Sequence, residues 1–393
     1  MTMPEVIRKA SYGIAKRFLR NPSRLHVHTL RAMSTESVDT TDVVLEKVGN
    51  KGVITLDRPK ALNALDLTMI RKIYPQLRKW DTDPDMKMVI IKAKSGSKAF
   101  CSGGDVKTIA LTRGQPSELR DKFFREEYRL NNLIASLTIP YVALLDGVTM
   151  GGGVGLSIHG TFRVATERTV FAMPETAIGF FPDVGGSYFL PRLPGKLGLY
   201  LGLTGYRMVG WDVIKGRVAT HFASSQRLQY VEEDLMRLNT PNVSDIDKVL
   251  LKHQDQCEAD FRKEFTLKKH MGRINSAFDA PSVEKILENL RKDTSEWAKD
   301  QVAILEKACP LSMKVAFKEL KEGAALTLQD ALKMEFRISQ RFMEANNFYE
   351  GVSSVLIDRS ATPKWDPPTL EQCTDEMVDA YFAPLPVEKE LKL

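Results

Sequence analysis

Three consecutive glycines in the run Met150-Gly-Gly-Gly-Val-Gly-Leu-Ser157, and two carboxylates in Met173-Pro-Glu-Thr-Ala-Ile-Gly-Phe-Phe-Pro-Asp-Val-Gly-Gly186, are the residues best suited to chemistry in this chain. Glycine lets a ligand approach the backbone closely. The glycines follow a short apolar strand signal and precede a helix-like stretch, where unpaired N–H groups gather and the helix dipole favours negative charge. Such a turn stabilises a developing oxyanion. Glu175 and Asp183 stand eight residues apart across an apolar, proline-interrupted loop, a setting that raises carboxyl pKa values. An anion-stabilising turn beside two carboxylates points to acyl chemistry.

The elements that must position these groups follow an α/β pattern. Val43–Val48 and Val53–Leu56, joined through Gly49 to Gly52, read as a hairpin. A helix over Leu67–Trp80 capped by Asp66 comes next, and Pro75 inside it predicts a kink or a split. Met88–Ala93 is a buried strand by its apolar run. The pattern repeats with a helix around Glu118–Leu137, a strand over Tyr141–Leu145, the glycine turn, a helix to about Ile158 and a strand over Phe162–Ala165. Strand, helix and strand in succession imply a right-handed crossover and a parallel sheet, with ligands beyond the carboxyl ends of its strands. Two glycine turns, Cys101-Ser-Gly-Gly-Asp105 and Met150 to Gly153, fall there. Past about residue 205 strand signals fade, and 236–365 reads as mainly helical. Pro367, Pro368 and Pro384 suggest a loosely packed end.

Composition narrows the function classes. The chain has 393 residues, 43% hydrophobic, enough for a sizeable core in one large domain with an extension or in two domains. No apolar run approaches the roughly 18 residues of a membrane span, so no membrane role is expected. The net charge of +6 is concentrated in residues 1–35, where seven Lys/Arg face only Glu5; removing them leaves 49 basic and 49 acidic residues. Ile7, Ala10, Ile14 and Phe18 lie at helical spacing among those basic residues. This is the make-up of a mitochondrial presequence, and a basic arm contacting nucleic acid is the alternative. The ending Leu-Lys-Leu is not a peroxisomal Ser-Lys-Leu. Cys101, Cys257, Cys309 and Cys373 are scattered, consistent with reduced thiols, and His26, His28, His159, His221, His253 and His270 show no metal-ligand spacing. GxSxG, P-loop and full Rossmann motifs are lacking. Cys101 has no locally placed histidine to activate it.

The order of four motifs resembles the crotonase (enoyl-CoA hydratase/isomerase) superfamily: Arg58-Pro-Lys-Ala-Leu-Asn-Ala-Leu65, Lys98-Ala-Phe-Cys-Ser-Gly-Gly-Asp105, the turn Gly151 to Gly153, and the loop at Pro174-Glu175. The likeness covers roughly residues 43–365. The wording from Ala172 to Gly186 and Tyr188-Phe-Leu-Pro-Arg-Leu193 is similar to its 3-hydroxyisobutyryl-CoA hydrolase branch. The resemblance implies an α/β fold with a crotonase-like ββα spiral core and a helical C-terminal region. With the basic N-terminus and the helical periodicity described above, the chain divides into a presequence at 1–37, a core at 38–235, helices at 236–368 and a tail at 369–393. The resemblance also implies an acyl-CoA thioester as substrate, with CoA belonging to that substrate, and no metal or separate cofactor. The N–H groups of Gly104 and Gly152 become the oxyanion hole, and Glu175 and Asp183 the catalytic acids. Glu127, Gly152, Glu175 and Asp183 become substrate-binding residues, although Glu127 also reads as part of a solvated helix face. Lys60, Ala61, Leu62, Ser102 and Gly103 become contacts to CoA. Where hydratases carry a second glutamate, two positions past the third glycine, this chain has Gly155; Asp183 stands where they have glycine. One acid is lost and another gained, which disfavours hydration of an enoyl double bond; the resemblance implies hydrolysis of the thioester instead, in valine breakdown. A structural role in the mitochondrial ribosomal small subunit, in contact with rRNA, and hydratase or isomerase activity are the alternatives; oligomeric state stays open.

Overall fold

The computed structural model describes residues 42–115, 117–257 and 263–393; the expected presequence at 1–37 lies outside them. The strands are β1 (Val43–Val48), β2 (Lys51–Leu56), β3 (Met88–Ala93), β4 (Ala99–Cys101), β5 (Tyr141–Leu145), β6 (Val148–Met150), β7 (Phe162–Ala165), β8 (Val170–Ala172), β9 (Met208–Val209) and β10 (His221–Phe222). They form a six-stranded sheet in the order β1-β2-β3-β5-β7-β10 and a four-stranded sheet in the order β4-β6-β8-β9. Only the β1–β2 hairpin and the β8–β9 pair are antiparallel. Each of β3, β5 and β7 hands the chain to a short partner in the smaller sheet, and each repeat stacks parallel on the one before. This is the ββα spiral that the motifs imply. The short strands β4, β6 and β8 have three residues each, too few for a periodicity to reveal.

The helix Leu67–Asp81 begins with the Asp66 carboxylate accepting from the Met69 amide at 2.8 Å, the expected cap. It is not split at Pro75. Met69, Ile70 and Ile73 before the proline and Leu77 and Trp80 after it are buried in one core, so packing on both sides holds it together. The helix Leu119–Ser136 buries Phe123, Phe124, Glu127, Tyr128, Leu130, Asn131 and Ile134. Two polar residues thus sit in its inward stripe, on the side that faces the glycine turns.

Helices Met271–Phe278, Val283–Lys292, Glu296–Lys307, Pro310–Gly323, Leu328–Glu344 and Asp375–Phe382 make up most of the C-terminal part. The chain end is packed down rather than loose: Leu385 and Leu391 are buried. Arg125 donates to the carbonyls of Lys389 at 2.8 Å and Glu390 at 3.0 Å, and Arg129 to that of Lys392 at 2.9 Å. These partners lie more than 260 residues upstream, so the local proline content could not announce them.

Candidate active site

The site forms where the Cys101–Asp105 turn meets the Met150–Gly153 turn. The first is fixed from behind by the loop Arg58–Leu65. Leu65 donates to the Gly103 carbonyl and accepts from the Asp105 amide, both at 2.8 Å, and the Ser102 amide donates to Leu62 at 3.1 Å. Arg58 clamps the loop to the turn through Asp105 at 2.9 Å and the Ala64 carbonyl at 3.0 Å. The Gly104 amide is left outside this ladder. Gly152 begins a single helical turn, Gly152–Gly155, so its amide has no partner within that turn either. Among the described residues neither amide donates to a backbone carbonyl.

The two turns touch. A Cβ at position 152 would lie 3.0 Å from the Gly104 nitrogen and 2.6 Å from Glu127 Oε1, and one at 151 would lie 3.1 Å from Glu175 Oε1. Glycine is therefore required by close approach, and the two acids flank the same backbone. Glu127 is 1% exposed, Glu175 6% and Asp183 5%, which corrects the solvated-face reading of Glu127. Asp183 Oδ2 accepts from the Tyr128 hydroxyl at 2.8 Å. Glu127 Oε1, Glu175 Oε2 and both amide atoms of Asn131 are buried without a partner among the described residues. Unpaired buried polar atoms are costly and uncommon, and here three side chains that carry them line the turn from Gly151 to Gly155.

Burial dominates the electrostatics. It pushes the Glu175 carboxyl well above its ordinary value, with the neighbouring Asp183 charge adding to the effect. Glu127 is raised by burial first, then by Asp183 and Glu175. Asp183 is pushed up to about 7 by burial, while the hydrogen bond from Tyr128 acts the other way. The low-dielectric wall is aromatic: Phe180 packs on Phe124 and Phe348, and Phe181 stacks on Phe342 with centroids 5.6 Å apart. Burial and mutual repulsion thus act together on the three carboxyls, each favouring the protonated form.

Position 155 is closed to an acid. A Cβ there would fall 2.7 Å from Asn131 Nδ2 and 2.8 Å from Val184 Cβ, so a glutamate side chain has no room without rearrangement. Cys101 is no alternative nucleophile, since burial pushes its thiol up to about 12 and it faces the Gly103 carbonyl. His159, pushed down to about 4 by burial, bonds the Val184 carbonyl at 2.8 Å. The stretch Lys60–Leu62 and the turn at Ser102–Gly103 are neighbours, joined by the Ser102–Leu62 bond and a 3.5 Å contact of the Ser102 hydroxyl with the Ala61 carbonyl. Lys60 and Leu62 are exposed, while Gly103 is buried against Gly151, so this strip runs from the surface to the glycine turns.

Tyr128, Asn131, Glu319 and Glu335 were not singled out from sequence. Glu335 interrupts the buried stripe that holds Leu332, Phe336 and Phe342, and Glu319 sits beside Val315, Ala316 and Leu320. An acid on the inward stripe of an amphipathic helix is the sequence signal for both.

Comparison with known proteins agrees with this geometry. The sequence pattern of the enoyl-CoA hydratase/isomerase family matches residues 51–382. A Mus musculus protein named 3-hydroxyisobutyryl-CoA hydrolase, mitochondrial, is 52% identical over 366 residues, spanning 93% of this chain and 94% of its own length. The Homo sapiens protein of that name is 51% identical over 359 residues, 91% of this chain and 92% of its own. Among solved structures, a carnitinyl-CoA dehydratase from Mycobacterium thermoresistibile superposes with a TM-score of 0.82 at 33% identity, covering 89% of this chain and 98% of that one. An enoyl-CoA hydratase from Rhodobacter sphaeroides 2.4.1 gives 0.79 at 32% identity, with 90% and 100% covered. The chain belongs to the enoyl-CoA hydratase/isomerase family, in the branch of the 3-hydroxyisobutyryl-CoA hydrolases.

Proposed function

We propose that this protein hydrolyses 3-hydroxyisobutyryl-CoA, or a close short 3-hydroxyacyl-CoA, to the free acid and CoA in mitochondria. The observation that carries the reading is the meeting of the Gly104 and Gly152 turns beside Glu175, with no room for an acid at Gly155. The named relatives act on that thioester and are mitochondrial by name, and the arginine-rich, acid-poor start of the chain fits the same compartment.

The substrate thioester carbonyl oxygen is held by the Gly104 and Gly152 amides, which stabilise the oxyanion as the carbon becomes tetrahedral. Glu175, once deprotonated, has two routes. It attacks the carbon, expels the CoA thiolate and forms a mixed anhydride that water then opens; or it takes a proton from a water that attacks directly. Either route consumes one water and yields the acid and the CoA thiol. Asp183, oriented by Tyr128, holds the water or the substrate 3-hydroxyl, and Glu127 lines the acyl end. Lys60–Leu62 with Ser102 and Gly103 receive the CoA moiety. After a single turnover in H₂¹⁸O, label in the Glu175 side chain supports an anhydride opened at that carboxyl, and label confined to the released acid means that water attacks the substrate acyl carbon.

Thiol release from 3-hydroxyisobutyryl-CoA, measured beside hydration of crotonyl-CoA, tests the reading. Release without hydration is expected. Hydration without free thiol overturns it. No observation favours the ribosomal role, for which co-sedimentation with ribosomal particles at high salt is the corresponding test.

A further inference from the structure

The turn that carries Asp183 is held in a conformation its own sequence disfavours. Val184 has φ 53° and Gly185 φ 86°; a β-branched residue in the left-handed region is strained and persists only where its surroundings impose it. The surroundings are explicit. His159 bonds the Val184 carbonyl at 2.8 Å. Glu335 Oε2 accepts from the Gly185 amide at 2.7 Å, and Glu335 Oε1 accepts from both the amide and the hydroxyl of Ser187, the amide at 2.9 Å. Glu335 is 0% exposed and comes from the middle of the helix Leu328–Glu344, 150 residues downstream of the turn it holds. The helix Pro310–Gly323 presses on the same place, since a Cβ at Gly323 would meet the Ser187 carbonyl oxygen at 2.1 Å. On the near side the Tyr128 hydroxyl fixes the Asp183 carboxyl.

Burying an acid in an apolar helix face is costly unless its oxygens are matched to donors. Here both oxygens are matched, and every donor belongs to the four residues that follow Asp183. We propose that Glu335 is a positioning residue for thioester hydrolysis: its two oxygens clamp Gly185 and Ser187, keep Val184 in its left-handed turn and so aim the Asp183 carboxyl into the site. The C-terminal helical region thereby completes the active site of the ββα core. This rests on the assignment of Asp183 to that site.

Glutamine is the discriminating replacement. It keeps the length of Glu335 but offers one acceptor and one NH₂, so the clamp cannot satisfy Gly185 and Ser187 together. In the full-length protein, Glu335→Gln is expected to lower kcat for 3-hydroxyisobutyryl-CoA by about 10- to 100-fold, since small misplacements of a reacting group carry such costs, with KM changed less than about threefold. Ser187→Ala removes only the hydroxyl bond and should lower kcat in the same direction by a smaller factor. In an Asp183→Asn background Glu335→Gln should have almost no further effect, because a residue acting through Asp183 has nothing left to act on. An effect that multiplies in full with Asp183→Asn, or unchanged kcat in both Glu335→Gln and Ser187→Ala, overturns the proposal. If Glu335→Gln fails to fold, the same cycle run with Ser187→Ala decides it. Full activity of Asp183→Asn alone would instead remove the site reading beneath, whereas inactive Asp183→Asn beside fully active Glu335→Gln and Ser187→Ala removes only this inference.

Discussion

Met88 and Ile90 of β3 join Val142, Leu144, Phe162 and Val164 in a small cluster covered by the helices Leu228–Arg237 and Val243–Asp255. One residue along, Val89 and Ile91 belong to the large cluster that also holds Phe123, Tyr128, Phe181, Val184 and Phe336. The same strands thus present two different interiors. The small one is filled by aliphatic and aromatic side chains, since successive side chains of a strand point to opposite faces of the sheet. The large one surrounds Glu127, Glu175, Asp183, Glu319 and Glu335, all buried. An interior that only folds avoids such groups, because each buried carboxyl loses its hydration. Five of them in one region indicate that the large cluster is shaped around a reaction, with the small one supplying the rigidity behind it.

The sharpest way to break this contrast is to substitute once on each face. Glu175→Gln is expected to lower thiol release by about 10²- to 10⁴-fold, with CoA binding retained and the melting temperature unchanged or higher. Ile90→Ala should do the reverse, destabilising the fold by about 2–5 kcal/mol while the folded fraction keeps its kcat. Equal losses of activity from both, at equal folded fraction, would show that the faces are not functionally separate. The pH profile sharpens the same contrast. Glu175 must lose its proton to act, and burial has raised its pKa, as it has that of Asp183. Below those ionisations kcat/KM should fall about tenfold per pH unit, so activity climbs through neutrality instead of levelling off above pH 5. A flat profile from pH 5 to 8 would show that the carboxyls required for turnover are already ionised at pH 5, against the upward shifts that burial imposes on Glu175 and Asp183.

A smaller effect is expected from Gly155→Glu, which restores the acid that hydratases carry. The added side chain meets Asn131 and Val184, and overpacking of that kind destabilises by about 1–3 kcal/mol. Displacing Val184 also disturbs Asp183, so thiol release should fall and crotonyl-CoA hydration should not appear. Hydration at a rate comparable to thiol release would mean that one acid, and not the rebuilt Asp183 turn, separates the two reactions.

The part of the site that was legible in the sequence is the part built from contiguous runs. Gly151 to Gly153, Cys101 to Asp105 and the loop with Glu175 and Asp183 each announce a turn by their own residues, and the long strands and helices announce themselves by period. What was not legible depends on contacts between distant segments. Nothing local to Asp183 says that Tyr128 bonds it, that Val184 would be left-handed, or that Glu335 would hold the turn from another helix. Glu127 shows the boundary clearly. Its neighbours Arg125, Glu126 and Arg129 are charged and suggest a wet face, and only its spacing from Phe123, Phe124 and Asn131 places it inside.

The last expected effect separates the two kinds of buried acid within the large cluster. Glu319 is 0% exposed, and neither of its oxygens has a hydrogen-bond partner among the described residues. Burial raises its pKa well above the ordinary value, and the nearby Glu335, Asp183 and Glu175 add to the shift. A carboxyl whose folded pKa exceeds its unfolded value of about 4.3 stabilises the fold fully below that value, and the contribution is lost as pH rises toward the folded pKa. Each such group therefore steepens the loss of stability with pH, by at most about 1.4 kcal/mol per pH unit. Glu319→Gln removes one of these groups without removing volume. The variant and the wild type should unfold at similar denaturant concentrations near pH 4.5, and the variant should be the more stable at pH 8. Parallel unfolding midpoints across that range would mean that Glu319 is as readily ionised folded as unfolded, and the distinction between an acid held for chemistry and one held as a neutral filler would fail at that position.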